Sequence, residues 1–225
     1  MTTTTAALVG HCDRLLAALG AFRAGAGEAR RWGGHLARVV TGGGRLLVAC
    51  DGADAAPARH LTVGLTGGAR WHRPAGSASA LRAATSRATA IARHHGGDGR
   101  LADRVRALGR RGDVLLLLST GGADADLLTA AAAGRRAGLT VWALTGPAPN
   151  PLTAACHAAL CAPADTTATV PELHLVAVHL LGTACHEALA TATADGGAPH
   201  TATAGGRPEA AGAPGDALEG DTADA

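Results

Sequence analysis

The chain has 225 residues and 47% of them are apolar, so it can build one domain with a sizeable core, with or without a tail. Its formal net charge is +2 and its arginines are spread along the sequence, which gives nucleic-acid binding no compositional support. No apolar run approaches the roughly 18 residues of a membrane span, and five cysteines without a CxxC pair predict reduced, buried thiols in a cytoplasmic protein.

The first predicted elements are helical. Apolar side chains recur at three-to-four spacing in residues 6–40 and predict two helices separated by a glycine break. The apolar run at residues 45–50 predicts a buried strand that ends at Asp51. A helix is expected over residues 54–65 with Asp54 as its N-cap, because a carboxylate there accepts hydrogen bonds from the first amides. Two more helical segments are expected at residues 79–95 and 99–112.

Strands and helices alternate in the second half of the chain. Strands are predicted at residues 113–120 and 139–146 and near 159–161, and helices at 124–138 and 171–191. Repeated strand–loop–helix units indicate a parallel sheet covered on both faces. Ligands bind such sheets at the carboxyl ends of the strands, which directs attention to residues 51–56 and 119–124.

The end of the chain has a different composition. After about residue 192 almost no large apolar side chains occur, so this segment cannot offset the entropy lost on ordering. The chain is therefore divided into N-terminal helices at residues 1–40, a main domain at 41–191 and a disordered C-terminal tail at 192–225.

The loop after the second strand combines two opposed features. Ser119, Thr120 and Gly121 offer the hydroxyl and amide donors that hold a phosphate at a helix N-terminus. Asp124 follows at the predicted N-cap, and Asp54 holds the corresponding place after the first strand. A carboxylate about 4 Å from a phosphate is unfavourable by several kcal/mol at an effective dielectric near 20. N-capping alone would also explain both aspartates.

These segments, taken in order over about residues 8–190, resemble the SIS (sugar isomerase) domain and, within that class, the phosphoheptose isomerase family. The resemblance is carried by GGRLLVACDGADAAPARHLTVGLTG, ATAIARHHG, VRALGRRGDVLLLLSTGG, AGLTVWALTG and DTTATVPELHLVAVHLL. It implies an α/β fold, namely a SIS-type three-layer sandwich with a central parallel sheet flanked by helices and an N-terminal helical extension. It also implies a homotetramer or homodimer whose pockets are shared between subunits.

The resemblance also implies a ligand and the residues that hold it. The ligand is a sugar phosphate or a related carbohydrate derivative, with no role for nucleic acid or membrane. The implied ligand-binding positions are Asp54, Ser119, Thr120, Gly121, Asp124 and Thr167.

The family's catalytic and zinc-binding positions match this chain only in part. The family moves protons with a Glu and a His, and its zinc-holding members place the metal among two His, that Glu and a Gln. His60 and His179 match the two His, and the shared pockets imply that they meet only in the oligomer. Gly64 stands where the Glu is expected and Pro171 where the Gln is expected. Zinc normally takes three or four protein ligands, so the implied zinc site is incomplete.

Three functions remain open at this point. The favoured one is a phosphosugar-binding protein with lost or reduced isomerase activity. The second is an active ketose/aldose isomerase in which Glu172 replaces the missing base beside His179, since Glu172, His179 and His186 share one helix face. A stripe that edges a buried or intersubunit face would explain the same spacing. The third is a non-catalytic regulatory adaptor built on the same scaffold.

Overall fold

The structure is a computed structural model that describes residues 3–65, 78–80 and 100–194. The helices are α1 (Thr3–Phe22), α2 (Ala26–Thr41), α3 (Ala55–Leu65), α4 (Arg100–Leu108), α5 (Ala125–Arg136), α6 (Pro151–Ala155) and α7 (Thr169–Ala194). The strands are β1 (Leu46–Cys50), β2 (Ala78–Ala80), β3 (Val114–Ser119), β4 (Thr140–Thr145) and β5 (Ala158–Cys161). Short 3-10 turns at Arg23–Gly25 and Gly52–Asp54 precede α2 and α3.

The five strands form one sheet in the order β2-β1-β3-β4-β5, and every neighbouring pair is parallel. In the register of the two central strands, Leu46 lies opposite Val114 and Cys50 opposite Leu118. All six residues of β3 are buried, as a strand covered on both faces requires. The carboxyl ends of β1 and β3 therefore lie side by side at the same edge of the sheet.

Alternate side chains of the strands enter two separate cores. Leu46, Val48 and Leu116 pack with α1, α2, α3 and α7, whereas Leu47 and Leu115 pack on the opposite face with α4, α5 and α6. This arrangement confirms the expected three-layer sandwich with a central parallel sheet.

Helices α2 and α7 approach each other closely at a glycine. A Cβ placed on Gly33 would lie 2.5 Å from Cβ of Ala184 and 2.7 Å from the backbone nitrogen of Cys185. On the next residue, Gly34, the same Cβ would meet nothing within 4 Å. Gly33 and Gly34 both lie inside α2, and only Gly33 is needed for the contact with α7. The predicted glycine break lies before α2, at the 3-10 turn Arg23–Gly25.

Several expectations about the elements are wrong in detail. Ser79 and Ala80 belong to strand β2 and do not begin a helix. Their small side chains give no apolar run, and the backbone pairing with β1 determines the strand. The rest of the helix expected at residues 79–95 lies outside the described residues. The tail predicted to be disordered at residues 192–225 begins too early, because residues 192–194 still belong to α7, and the remainder of it lies outside the described residues. Cys12 is exposed, although the other thiols are at least partly buried.

Among the described residues, one stretch, Thr169–Ala192, is long and apolar enough to cross a membrane when judged by length and hydropathy alone. A core helix of a soluble protein passes the same test, so the finding is weak evidence for a span. In this fold the stretch is α7, which packs against α2 and α3.

Candidate functional site

Asp54 is the most deeply buried acidic residue at the edge where β1 and β3 end. Its side chain is fully buried, and its Oδ1 lies 2.7 Å from Nδ1 of His174, which is itself buried in α7. Its Oδ2 accepts a hydrogen bond from the Thr120 hydroxyl at 3.3 Å. The expected N-cap role is therefore wrong, because the 3-10 turn Gly52–Asp54 precedes α3 and the carboxylate bonds to α7 and to the second loop.

A second carboxylate, that of Asp51, joins the same two loops. The buried Ser119 hydroxyl donates to Oδ2 of Asp51 at 2.8 Å and accepts from the Gly122 amide at 2.9 Å. Oδ1 of Asp51 is buried and has no hydrogen-bond partner among the described residues. Burial raises the pKa of Asp51, and the nearby charges of Asp54 and Asp124 raise it further, against the lowering effect of the Ser119 hydroxyl and the Thr120 amide.

The second loop leads into α5 through a capped turn. The Asp124 side chain accepts a hydrogen bond from the Leu127 amide at 3.0 Å, which confirms its predicted N-cap role. Gly121 is exposed, whereas Gly122 adopts φ +67° and a Cβ there would collide with the Asn150 side chain. This loop therefore depends on glycine at 122 both for its backbone conformation and for its contact with the turn before α6.

His60 and His179 come together as the matched positions implied. Their rings lie edge to face, with centroids 4.4 Å apart, and both residues are exposed. They belong to α3 and α7 of one chain, so the expectation that they meet only between subunits is wrong. Gly64 lies one turn after His60 on the same helix, and Pro171 lies in the first turn of α7.

The described residues do not fit a zinc site. Within residues 3–65, 78–80 and 100–194, no group of three or more His, Cys, Asp or Glu is arranged to hold a metal ion. The two histidines supply two ligands, and neither Gly64 nor Pro171 has a donor atom in its side chain. Two ligands are fewer than the three or four that zinc normally takes from a protein.

Glu172, the candidate for a relocated base, bonds to the first helix. Its Oε1 lies 2.9 Å from Nε2 of His11 in α1, and its Oε2 is buried without a hydrogen-bond partner in the described part of the chain. It is seven residues before His179, which corresponds to roughly 10 Å along the helix axis. His186, the third member of the stripe, is exposed further along α7. Glu172 as the base stays a prediction.

Thr167 lies outside the hydrogen-bonded loops just described. It is exposed in the turn before α7, where the hydroxyls of Thr166 and Thr169 lie 2.9 Å apart. Its role as a ligand-binding residue stays a prediction.

Sequence reasoning missed His174 and Asn150. His174 lies in a mostly apolar helix, so its pattern did not separate it from the exposed histidines of that helix. Asn150 did have a signal, because Asn followed by Pro is typical of a helix start. Its side chain accepts from the Thr153 amide at 3.0 Å and donates to the Thr145 hydroxyl at 3.1 Å.

Comparison with known proteins gives consistent similarities. The SIS domain family matches residues 17–146. A phosphoheptose isomerase of Streptomyces coelicolor is 58% identical over 182 residues, covering 81% of this chain and 79% of the relative. One from Bradyrhizobium sp. strain BTAi1 is 37% identical over 146 residues, covering 64% and 74%.

Solved structures agree with these matches. A phosphoheptose isomerase from Francisella tularensis superposes with a TM-score of 0.74 at 25% identity, covering 83% of this chain and 100% of that one. One from Neisseria gonorrhoeae gives a TM-score of 0.72 at 28% identity, covering 82% and 99%.

Proposed function

The chain belongs to the phosphoheptose isomerase family of SIS-domain proteins, and from that premise we propose that it binds a carbohydrate derivative where β1 and β3 end, with isomerase activity lost or strongly reduced. Ketose/aldose isomerisation needs one group to remove a proton from carbon and another to protonate or polarise the carbonyl oxygen. The proposal is supported chiefly by the surroundings of the His60–His179 pair. An acid is expected one turn after His60, and the residue there is Gly64.

The ligand part of the proposal is supported by the two loops. Ser119, Thr120 and Gly122 lie at the carboxyl end of β3, where open parallel sheets bind their ligands. Asp51 and Asp54, which follow β1, accept hydrogen bonds from the Ser119 and Thr120 hydroxyls, so both strand ends carry polar groups. Carboxylates and hydroxyls are suited to the hydroxyl groups of a sugar, because they accept and donate hydrogen bonds.

The proposal is tested by phosphorus and proton NMR of the protein mixed with sedoheptulose 7-phosphate, with and without added zinc. We expect the spectrum of the substrate to stay unchanged over a period in which the Streptomyces coelicolor relative, run beside it, converts the substrate to the aldose phosphate. Conversion at a rate comparable with that of the relative would contradict the proposed loss of activity.

An active isomerase is the second candidate, favoured by the 58% identity to a phosphoheptose isomerase. Glu172 would then be the base. In that case Glu172→Gln abolishes turnover while the fold, measured by circular dichroism and thermal melting, remains intact. Glu187→Gln is the matched control, since Glu187 is an exposed residue of the same helix. Equal turnover in the Glu172 variant and the control would remove Glu172 from the mechanism.

We also propose a homo-oligomer in which the helices of residues 1–40 contact another subunit, beside a main domain at 41–191 and a tail at 192–225. The support is apolar exposure on α1, where Leu16 is 67% and Val9 46% exposed. Light scattering of the full chain should give a dimer or tetramer mass, and Leu16→Glu should lower it. A monomer in the unmodified chain would contradict the proposal.

A further inference from the structure

A basic groove lies on the face of the sheet opposite to α1, α2 and α7. It is a depression of about 350 Å³ between α5 and α6, lined by Ala132, Arg135, Arg136, Ala154 and Ala155. Arg135 donates a hydrogen bond to the carbonyl oxygen of Ala155 at 3.3 Å, which holds its guanidinium at the groove. Small apolar walls beside two guanidinium groups suit a ligand that combines an apolar side chain with acidic groups.

Two more arginines add positive charge beside the basic groove. Arg110 and Arg111 lie in the loop before β3, and this loop contacts the residues that follow α5, since the Gly112 amide donates to the Gly138 carbonyl oxygen at 3.1 Å. None of these four arginines forms an ion pair with an acidic residue in the described part of the chain. The dipole of α5 favours basic residues in its last turn, but it does not account for Arg110 and Arg111.

The charges of the chain are divided unequally between its two parts. Residues 1–194 contain 19 arginines and 12 acidic residues, a net charge of +7, whereas residues 195–225 contain one arginine and six acidic residues, a net charge of −5. Leu218 is the only large apolar residue of the second part, and it stands between Asp216 and Glu219. This segment therefore carries one apolar side chain between two carboxylates, which complements the apolar walls and the guanidinium groups of the basic groove.

The chain is long enough for this segment to reach the basic groove. Helices α5 and α7 both begin where strands end, so the last turns of both helices lie toward the other edge of the sheet, where the strands begin. The 21 residues between Ala194 and Asp216 extend to about 70 Å. A domain of this size has a diameter of about 40 Å, so the segment can pass from one face of the sheet to the other.

We propose that residues 216–219 of this chain dock in its basic groove. The Leu218 side chain lies against the alanines of the groove, and the two flanking carboxylates pair with Arg135 and Arg136. Only this short segment has to be fixed, so the composition that predicts disorder for the tail as a whole is compatible with the contact. The proposal is independent of the proposed function, because it involves neither the loops at the strand ends nor the isomerase reaction.

Hydrogen–deuterium exchange of the full chain, followed by mass spectrometry, tests this docking. The amides of residues 216–220 should exchange at least about 3-fold more slowly in the chain than in a free peptide of the same sequence. Arg136→Gln should raise their exchange to the rate of the free peptide, because it removes a charge that lines the basic groove. Asp216→Asn combined with Glu219→Gln should also release the segment, measured against a peptide that carries the same two changes.

Two matched controls separate the basic groove from overall charge. Arg104→Gln removes one charge from an exposed residue of α4 that does not line the groove. Asp195→Asn combined with Glu209→Gln removes two charges from the tail outside the docking segment. Exchange of residues 216–220 should stay slow in both controls.

Three results would overturn the proposal. The first is exchange of residues 216–220 at the rate of the free peptide in the unmodified chain. The second is equal acceleration by Arg104→Gln and Arg136→Gln, and the third is equal acceleration by the two tail variants, since either would mean that net charge alone is responsible. Thermal melting shows that each variant is folded, and the variant of Asp216 and Glu219 decides the question if Arg136→Gln melts at a lower temperature.

Discussion

The close approach of α2 and α7 makes Gly33→Ala destabilising. Atoms in ordinary van der Waals contact lie about 3.5–4.0 Å apart, whereas the new methyl would lie 2.5 Å from Cβ of Ala184 and 2.7 Å from the nitrogen of Cys185. The obstruction includes backbone, so the helices have to separate by about 1 Å. Overpacking of this kind costs about 1–3 kcal/mol, against a gain of up to about 1 kcal/mol from replacing a helical glycine.

Gly34→Ala is the control, because it gives the same gain in helix propensity without the collision. Urea unfolding should place Gly33→Ala below the unmodified chain and Gly34→Ala at or above it, with the two variants separated by about 1–3 kcal/mol in the free energy of unfolding. Equal midpoints and equal slopes for the two variants would refute the argument that backbone contact fixes the spacing of α2 and α7.

Three further predictions follow from the site. Asp51→Asn should stabilise the protein at neutral pH, because burial raises the pKa of Asp51 in the folded state. The protonated group contributes its full stability below the unfolded pKa of about 4, and this contribution is lost as the pH rises through the raised folded pKa. Asn cannot ionise and therefore does not suffer this loss. Urea midpoints measured from acid to neutral pH check this, and a variant whose advantage does not grow with pH would contradict it. Gly122→Ala should lower the melting temperature by more than Gly121→Ala. Residue 122 has φ +67°, which costs an alanine about 1 kcal/mol of backbone strain, and the new methyl would also collide with the Asn150 side chain. Equal melting temperatures for the two variants would contradict this. After exposure to zinc and exhaustive dialysis, the chain should retain far less than one equivalent of metal, measured by mass spectrometry. The reason is that His60 and His179 supply two ligands, whereas zinc takes three or four. Retention of a full equivalent would show that other residues complete the site.

The sequence alone was sufficient for the main strands. β1, β3 and β4 are mostly apolar segments bounded by turn-forming residues, and the alternation of strands and helices led directly to a parallel sheet. β2 could not be found in this way, because Ala78–Ala80 contains no large apolar side chain and depends on pairing with β1. Backbone pairing with an existing strand is a property of the fold and leaves no periodic pattern.

The sequence predicted where the candidate site lies, but it did not predict the hydrogen bonds between the residues of that site. Strand ends identified the loops that carry Asp54 and Ser119, and the family pattern identified His60 and His179. An aspartate before a helix usually caps it, as Asp124 does, but Asp54 is bonded to His174 instead. That difference depends on where α7 crosses the sheet, which local sequence does not contain.

The hydrogen bonds from Ser119 to Asp51 and from Thr120 to Asp54 make the two loops parts of one folded unit. Side chains of the protein fix the loops relative to each other, so their conformational entropy is lost when the chain folds. If a carbohydrate binds at these strand ends as proposed, it has little of this ordering left to impose, and its affinity depends mainly on the contacts it makes and on the water it displaces. Changes that loosen the two loops should therefore weaken the proposed binding even when they touch no ligand atom.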